Sequence, residues 1–245
     1  MEGLFCFFDL MKYTADLHRF YLPNAQLGAV AEINSEEAKH ARVLRLTAGN
    51  LVHLIDGKGN LFEGSVMKAG KKMEVSIDTL IEEETQSAKK LILAVAPTKN
   101  MARFEWVIEK AVEVGADEIM PLQCEHSERV FIKAERLHRI ALSAAKQSKA
   151  LFLPLIHELQ SVKEAFKMEA DNKWIAHCKT ADKASILALS ENKGSQIICI
   201  GPEGDFSQEE IDLAVRLGFK EVGLGEKRLR TETAAIAAII AANVF

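Results

Sequence analysis

The hydrophobic rhythm of the chain changes near residue 85. Before it, apolar and polar residues exchange over short runs: His18-Arg19-Phe20-Tyr21, Leu51 to Asp56, Leu61 to Met67 and Met73 to Ile77 read as strands. Gly57-Lys58-Gly59-Asn60 joins two of them as a hairpin. One helix interrupts them, starting at Asn34 with Glu37 as its capping partner, carrying Ala38, Val43 and Leu44, and ending near Gly49. Glu82-Glu83-Glu84-Thr85-Gln86-Ser87 is polar and charged, which predicts a linker over 82–88. A small β-barrel-like module over 15–81 is the economical reading.

From residue 89 onward strands and helices take turns, the signature of an α/β domain with a parallel sheet. Leu91 to Ala96 is a strand closed by Pro97. Phe104, Val107, Ile108, Ala111 and Val112 then recur at helical spacing up to Gly115. Ile119-Met120-Pro121 opens another strand, a long helix covers about Lys133 to Lys149, and Trp174 to His177 is a further strand. Ile197 to Ile200 is apolar throughout, as a strand buried on both faces must be. Ser207 and Glu210 form a capping box for a helix with Ile211, Ala214 and Val215 as its apolar stripe before Gly218. Glu221 to Leu224 is a brief strand, Gly225 to Thr231 a loop, and Thr233 to Phe245 a helix. That last helix has no charge from Ala234 to Ala242, so it must be enclosed by its own domain, a second subunit, or both. It is too short for a bilayer, which takes ~20 apolar residues.

Composition narrows the choices. The 245 residues carry a net charge of −4, and the excess acid sits before residue 85, so no global basic field announces a nucleic-acid partner. Any such surface is a local patch. Cys6, Cys124, Cys178 and Cys199 have no paired spacing, which argues for reduced thiols in a cytoplasmic protein without a membrane anchor. Residues 1–14 have no basic n-region and read as an appendage without assigned function. No cluster suggests a metal, and His126 and His177 read as structural.

The chemistry concentrates at the end of the chain. Gly201-Pro202-Glu203-Gly204 follows a strand but matches neither the dinucleotide fingerprint nor a phosphate loop, which disfavours a nicotinamide or ATP enzyme. On spacing alone it is a turn that uses glycine for backbone freedom. Leu224-Gly225 repeats the same strand-then-glycine pattern, so both loops leave the carboxyl edge of a sheet, where ligands bind in open α/β folds. Arg228, Arg230 and Glu232 alternate and face one side of an extended segment; a solvated charge run, or a helix cap by Thr231 and Glu232, accounts for them equally. In the first module Arg19, His40, Arg42, Arg45, Lys71 and Lys72 are candidates for phosphate contacts, with Phe20 and Tyr21 as stacking groups and Arg42 and Arg45 on neighbouring faces of one helix.

These motifs resemble a family. Leu224-Gly225 with Leu229-Arg230-Thr231-Glu232-Thr233-Ala234 is the most specific element. Gly201 to Gly204, Glu109 to Gly115 with Pro121, His18-Arg19-Phe20, and His40 with Val43-Leu44-Arg45 support it. Over residues 18–245 the chain is similar to the SPOUT superfamily and, within it, to the ribosomal RNA small-subunit methyltransferases E, which methylate N3 of a uridine in 16S ribosomal RNA. The resemblance implies a PUA-like barrel for RNA, a trefoil-knotted α/β domain, a homodimer and S-adenosylmethionine as cofactor. It implies a cofactor site at Ile200, Gly201, Glu203, Gly204, Leu224, Gly225, Leu229, Arg230 and Thr231, and RNA contacts at Arg19, His40, Arg42 and Arg45. Arg230 is the candidate for stabilising charge on the uracil oxygens, and Glu232 is either the base or a cap of the last helix. Where the family has Glu-Gln-Ser-Gly-Arg, this chain has Lys146-Gln147-Ser148-Lys149-Ala150, and no role is carried over to that segment. A non-catalytic RNA-binding protein, or a related enzyme for another base, is the rival reading.

Overall fold

The computed structural model describes residues 17–179, 182–191 and 194–243, so the appendage expected at 1–14 lies outside the described residues. The chain divides into two compact units, 1–85 and 86–245.

The first unit holds β1 (Arg19–Tyr21), β2 (Val30–Ile33), α1 (Ser35–Val43), β3 (Leu51–Ile55), β4 (Asn60–Lys68), β5 (Met73–Ser76) and β6 (Thr79–Glu83). The strand order is β1-β3-β4-β5-β2, with β6 also on β4. The long strand β4 pairs with β6 along its first half and with β5 along its second, across a bulge between Val66 and Lys68. Gly64 makes that change of partner feasible, because a Cβ there would collide with the Ser76 carbonyl at 2.0 Å. Phe20, Val52, Leu54, Phe62 and Val75 fill the interior.

Four expectations for this unit change. Strand β6 is exposed throughout and runs through Glu82 and Glu83, inside the stretch read as linker, because edge pairing to β4 and not burial holds it. Helix α1 ends at Val43, well before Gly49. Its cap is a Schellman closure in which Leu46 N–H donates to the Ala41 carbonyl and Arg45 N–H to that of Arg42. Arg45 is the left-handed residue of that closure, at φ 57°, so it does not share a helix with Arg42. Asn34 caps the Glu37 amide as expected, but the Glu37 carboxylate turns inward and accepts the Tyr21 N–H at 3.4 Å.

The second unit contains β7 (Leu91–Val95), α2 (Met101–Val114), β8 (Glu118–Gln123), α3 (Ala134–Ser148), β9 (Leu155–Ile156), β10 (Gln160–Ser161), α4 (Val162–Ala165), β11 (Asn172–Ala176), β12 (Ala184–Ser185), β13 (Gln196–Ile200), α5 (Gln208–Arg216), β14 (Lys220–Gly223) and α6 (Thr231–Asn243). Its sheet is parallel throughout, in the order β10-β8-β7-β13-β11-β14-β12 with β9 beside β8. Apolar side chains from α2, α3 and α6 cover one face and those from α4 and α5 the other, which is why β7 and β13 are buried at every position. The five residues assigned to the core face of α2 are its buried residues, and Gly115 closes it at φ 94°.

The capping box of Ser207 and Glu210 forms in both directions at the start of α5, whereas Val215 is 46% exposed and leaves the apolar stripe. Helix α6 begins at Thr231, two residues before the expected start. It packs against α2, β7 and β13 of its own unit, burying Ala235, Ala238, Ile239 and Ala242 completely. No described helix is long and apolar enough to cross a membrane.

Candidate active site

Three neighbouring parallel strands, β13, β11 and β14, end at Ile200, Ala176 and Gly223, and their following loops enclose a cavity of about 580 Å³ at the carboxyl edge of the sheet. Adjacency in the sheet, not in the chain, assembles it. Ile200, Gly201, Glu203, Leu224, Gly225, Leu229, Arg230 and Thr231 of the sequence-derived set line it.

The two glycine loops are tied directly. Thr231, buried at the first turn of α6, donates its hydroxyl to the Gly201 carbonyl at 3.1 Å. Arg228 reaches the Glu203 carbonyl at 3.2 Å, and the Glu203 carboxylate accepts the Lys99 N–H at 3.0 Å from the loop after β7. Glycine is required at two of these points. A Cβ on Gly201 would stand 3.0 Å from the Phe206 ring, and Gly225 sits at φ 131°, a conformation side chains rarely adopt. Gly204 has a different use: it does not line the cavity, and a Cβ there would lie 2.9 Å from His126 Cβ.

Arg230 and Glu232 divide. Arg230 is exposed at the mouth of the cavity and its guanidinium has no hydrogen bond or ion pair to another described residue. Its carbonyl accepts the Ala234 N–H at 2.8 Å, which fixes its backbone as the entry to α6. Glu232 lies outside the lining, with its side chain 13% exposed and paired with Arg103 of α2 at 3.5 Å. An acid in the first turn also faces the positive end of the helix dipole.

The loop after β11 is the wall that sequence reasoning missed. His177, Cys178 and Lys183 line the cavity there. His177 is buried; its Nε2 lies 2.9 Å from a Glu221 carboxylate oxygen, and its Nδ1 accepts the Lys179 N–H at 3.2 Å, which assigns the proton to Nε2. Burial pushes its pKa down, the nearby Lys183 ammonium adds to that, and Glu221 opposes both. Lys183 donates to the His177 carbonyl. His177 and His126, read from the sequence as structural, both brace this cavity through hydrogen bonds to Glu221 and to the Asp205 carbonyl. Among the described residues no group of three or more His, Cys, Asp or Glu side chains is arranged to hold a metal.

In the first unit the Tyr21–Glu37 hydrogen bond and the contact of the Phe20 and His40 rings, 6.0 Å between centroids, set β1 against α1. Arg19 and His40 thus lie on neighbouring segments, with Arg42 further along α1 and Arg45 beyond its end; the last three are exposed. Phe20 is fully buried and cannot stack on a base, which removes it from the expected surface. Lys72 pairs with Glu32 at 3.1 Å.

Comparison with known proteins agrees with this architecture. Residues 85–243 match the model of an RNA methyltransferase domain and residues 33–75 that of an RNA methyltransferase PUA domain. A ribosomal RNA small subunit methyltransferase E of Mesomycoplasma hyopneumoniae is 33% identical over 161 residues, covering 64% of this chain and 70% of that one. The structure of a methyltransferase of Legionella pneumophila, solved with bound S-adenosylmethionine, superposes with a TM-score of 0.86 at 29% identity, covering 93% of this chain and 97% of that one. A ribosomal RNA small subunit methyltransferase E of Neisseria gonorrhoeae, also bound to S-adenosylmethionine, gives 0.80 at 26% identity, with 92% and 96% covered. With the parallel sheet, the carboxyl-edge cavity and the PUA domain all in place, the chain belongs to the RNA methyltransferase family of the ribosomal RNA small subunit methyltransferases E.

Proposed function

We propose that the protein methylates N3 of a uridine in 16S ribosomal RNA, with S-adenosylmethionine held in the carboxyl-edge cavity. The observation that carries this reading is the tie between Thr231 and Gly201, which brings both glycine loops and Arg230, whose guanidinium pairs with no other described residue, to one mouth. The cavity suits the cofactor. Its volume is in the range of small-molecule sites, roughly 300–1,000 Å³, and Ile200, Leu224, Leu229 and Ala234 supply apolar wall beside backbone polar groups. Gly201 and Gly225 keep that backbone free of side chains. When bound, S-adenosylmethionine supplies an electrophilic methyl group on a sulfonium.

The protein's own contribution is placement and charge. Holding a nucleophile in line lowers a barrier by ~7–11 kcal/mol, more than one general base contributes. Loss of the N3 proton to solvent spreads negative charge over the uracil oxygens, and Arg230 is our candidate for stabilising it. Glu232 serves as a positioning residue in this reading: its pairing with Arg103 fixes the first turn of α6, from which Arg230 projects. Arg19, His40, Arg42 and Arg45 contact RNA phosphates, and the enzyme works as a cytoplasmic homodimer with the trefoil-knotted path of its superfamily.

Small-subunit RNA, free or assembled, incubated with the protein and S-adenosylmethionine and then mapped by mass spectrometry, tests the proposal. A single uridine converted to 3-methyluridine is the expected result. Methylation elsewhere on the base, or of another RNA only, would refute it.

A further inference from the structure

We propose that Asp205 is a positioning residue of the cofactor cavity: its carboxylate staples the loop after β11 to the loop after β13, and the chain holds it in a strained conformation to do so. The inference rests on the cavity being the S-adenosylmethionine site. Among the described residues three that are not glycine have positive φ: Arg45, Lys149 and Asp205. The first two end helices, where a left-handed residue closes the last turn. Asp205, at φ 66°, ends nothing and precedes the cap of α5 by two residues.

What the conformation achieves is a set of four hydrogen bonds. The Asp205 N–H donates to the Pro202 carbonyl at 2.9 Å, closing the turn after β13. One carboxylate oxygen accepts the Phe206 N–H at 2.8 Å, and the other accepts the Cys178 N–H at 2.8 Å. The Asp205 carbonyl lies 3.0 Å from His126 Nδ1, in the loop after β8. Gly204 permits that approach, since any Cβ there would meet His126. Asp205 and Cys178 both line the cavity, so the Cys178 bond fixes the separation of two of its walls. A backbone N–H donated to a carboxylate is charge-assisted and stronger than a neutral bond.

Strain and staple make opposite predictions for one substitution. Asp205→Gly relieves the strain, because glycine accepts this backbone region at no cost, but removes both carboxylate bonds. Strain relief offsets part of the lost bonds, so the melting temperature falls only slightly, while affinity for S-adenosylmethionine, measured by calorimetry on the full chain, falls about tenfold. Hydrogen exchange of the Cys178 amide in the cofactor-free protein accelerates by a similar factor. Asp205→Asn keeps an acceptor oxygen and tolerates left-handed geometry, so it recovers part of both losses. Unchanged affinity and unchanged exchange in Asp205→Gly would overturn the staple. Equal losses in Asp205→Asn and Asp205→Gly would overturn it as well, assigning the effect to charge alone. Accelerated exchange in Asp205→Gly, with no cofactor binding even by the wild type, would leave the staple standing and refute the functional reading.

Discussion

The two edges of the large parallel sheet handle polar groups in opposite ways. At the amino edge Glu118 is buried and fully engaged, with His157 Nε2 2.6 Å from one carboxylate oxygen and Lys90 paired with the other. Asp117 beside it accepts the Leu91 N–H at 2.7 Å. At the carboxyl edge the loops are tied to one another by Thr231, Arg228 and Asp205, yet they leave a cavity and an arginine without a partner among the described residues. Charges that satisfy each other hold an edge closed; groups held in place but left open to a cavity are ready for a ligand. Stability and chemistry are thus placed at opposite ends of the same strands.

The sharpest way to break this comparison is at the carboxyl edge. Arg230→Ala is expected to slow methyl transfer at least about a hundredfold, the scale of losing one preorganised stabiliser of developing charge, with little change in melting temperature. Near-normal turnover in a radiolabelled-methyl assay would move Arg230 out of the reaction.

The amino edge should respond in the reverse sense. Glu118→Ala removes the buried carboxylate that His157 and the half-exposed Lys90 share and is expected to cost about 1–2 kcal/mol in denaturant unfolding, without altering turnover per folded molecule. Burial alone would raise the Glu118 pKa, but Lys90 and His157 outweigh it and hold it below its ordinary value. A depressed carboxylate pKa gives stability that is present above the unfolded-state value, about 4.3, and is lost as pH falls through the folded one. The acid limb of a stability profile is therefore expected to be shallower in Glu118→Ala, and an unchanged limb would show that the cluster does not act on folding.

The smallest effect concerns the helix that returns the chain to the amino edge before β9. Lys149 holds φ 63° at the end of α3, a backbone region that glycine adopts without strain. Lys149→Gly is expected to stabilise the fold by about 0.5–1 kcal/mol, read from the shift of the urea midpoint. A loss of stability would mean that the contacts of the lysine outweigh its backbone strain.

Much of this was legible in the sequence, for identifiable reasons. The five buried positions of α2, the apolar run Ile197 to Ile200 of β13 and the Ser207–Glu210 capping box are local signals that the fold has no cause to override. Strand β6 was hidden because its residues are exposed and its glutamates read as linker; only its pairing with β4 makes it a strand. Arg45 was misplaced because a left-handed arginine at a helix end carries no signature in composition. The glycine loops were found from their repeated strand-then-glycine pattern. The third wall was not, because His177 and Cys178 come within reach of Asp205 only through the order β13-β11-β14.

Calorimetric titration with S-adenosylmethionine tests the division of the two edges most directly, comparing the wild type with Gly201→Val and Glu118→Gln. The wild type and Glu118→Gln are expected to bind at one site per chain with matching affinity. Gly201→Val, whose side chain enters the space 3.0 Å from Phe206, is expected to lose that binding. Binding that survives Gly201→Val, or fails in Glu118→Gln while the fold is intact, would contradict the assignment of the cofactor to the carboxyl edge.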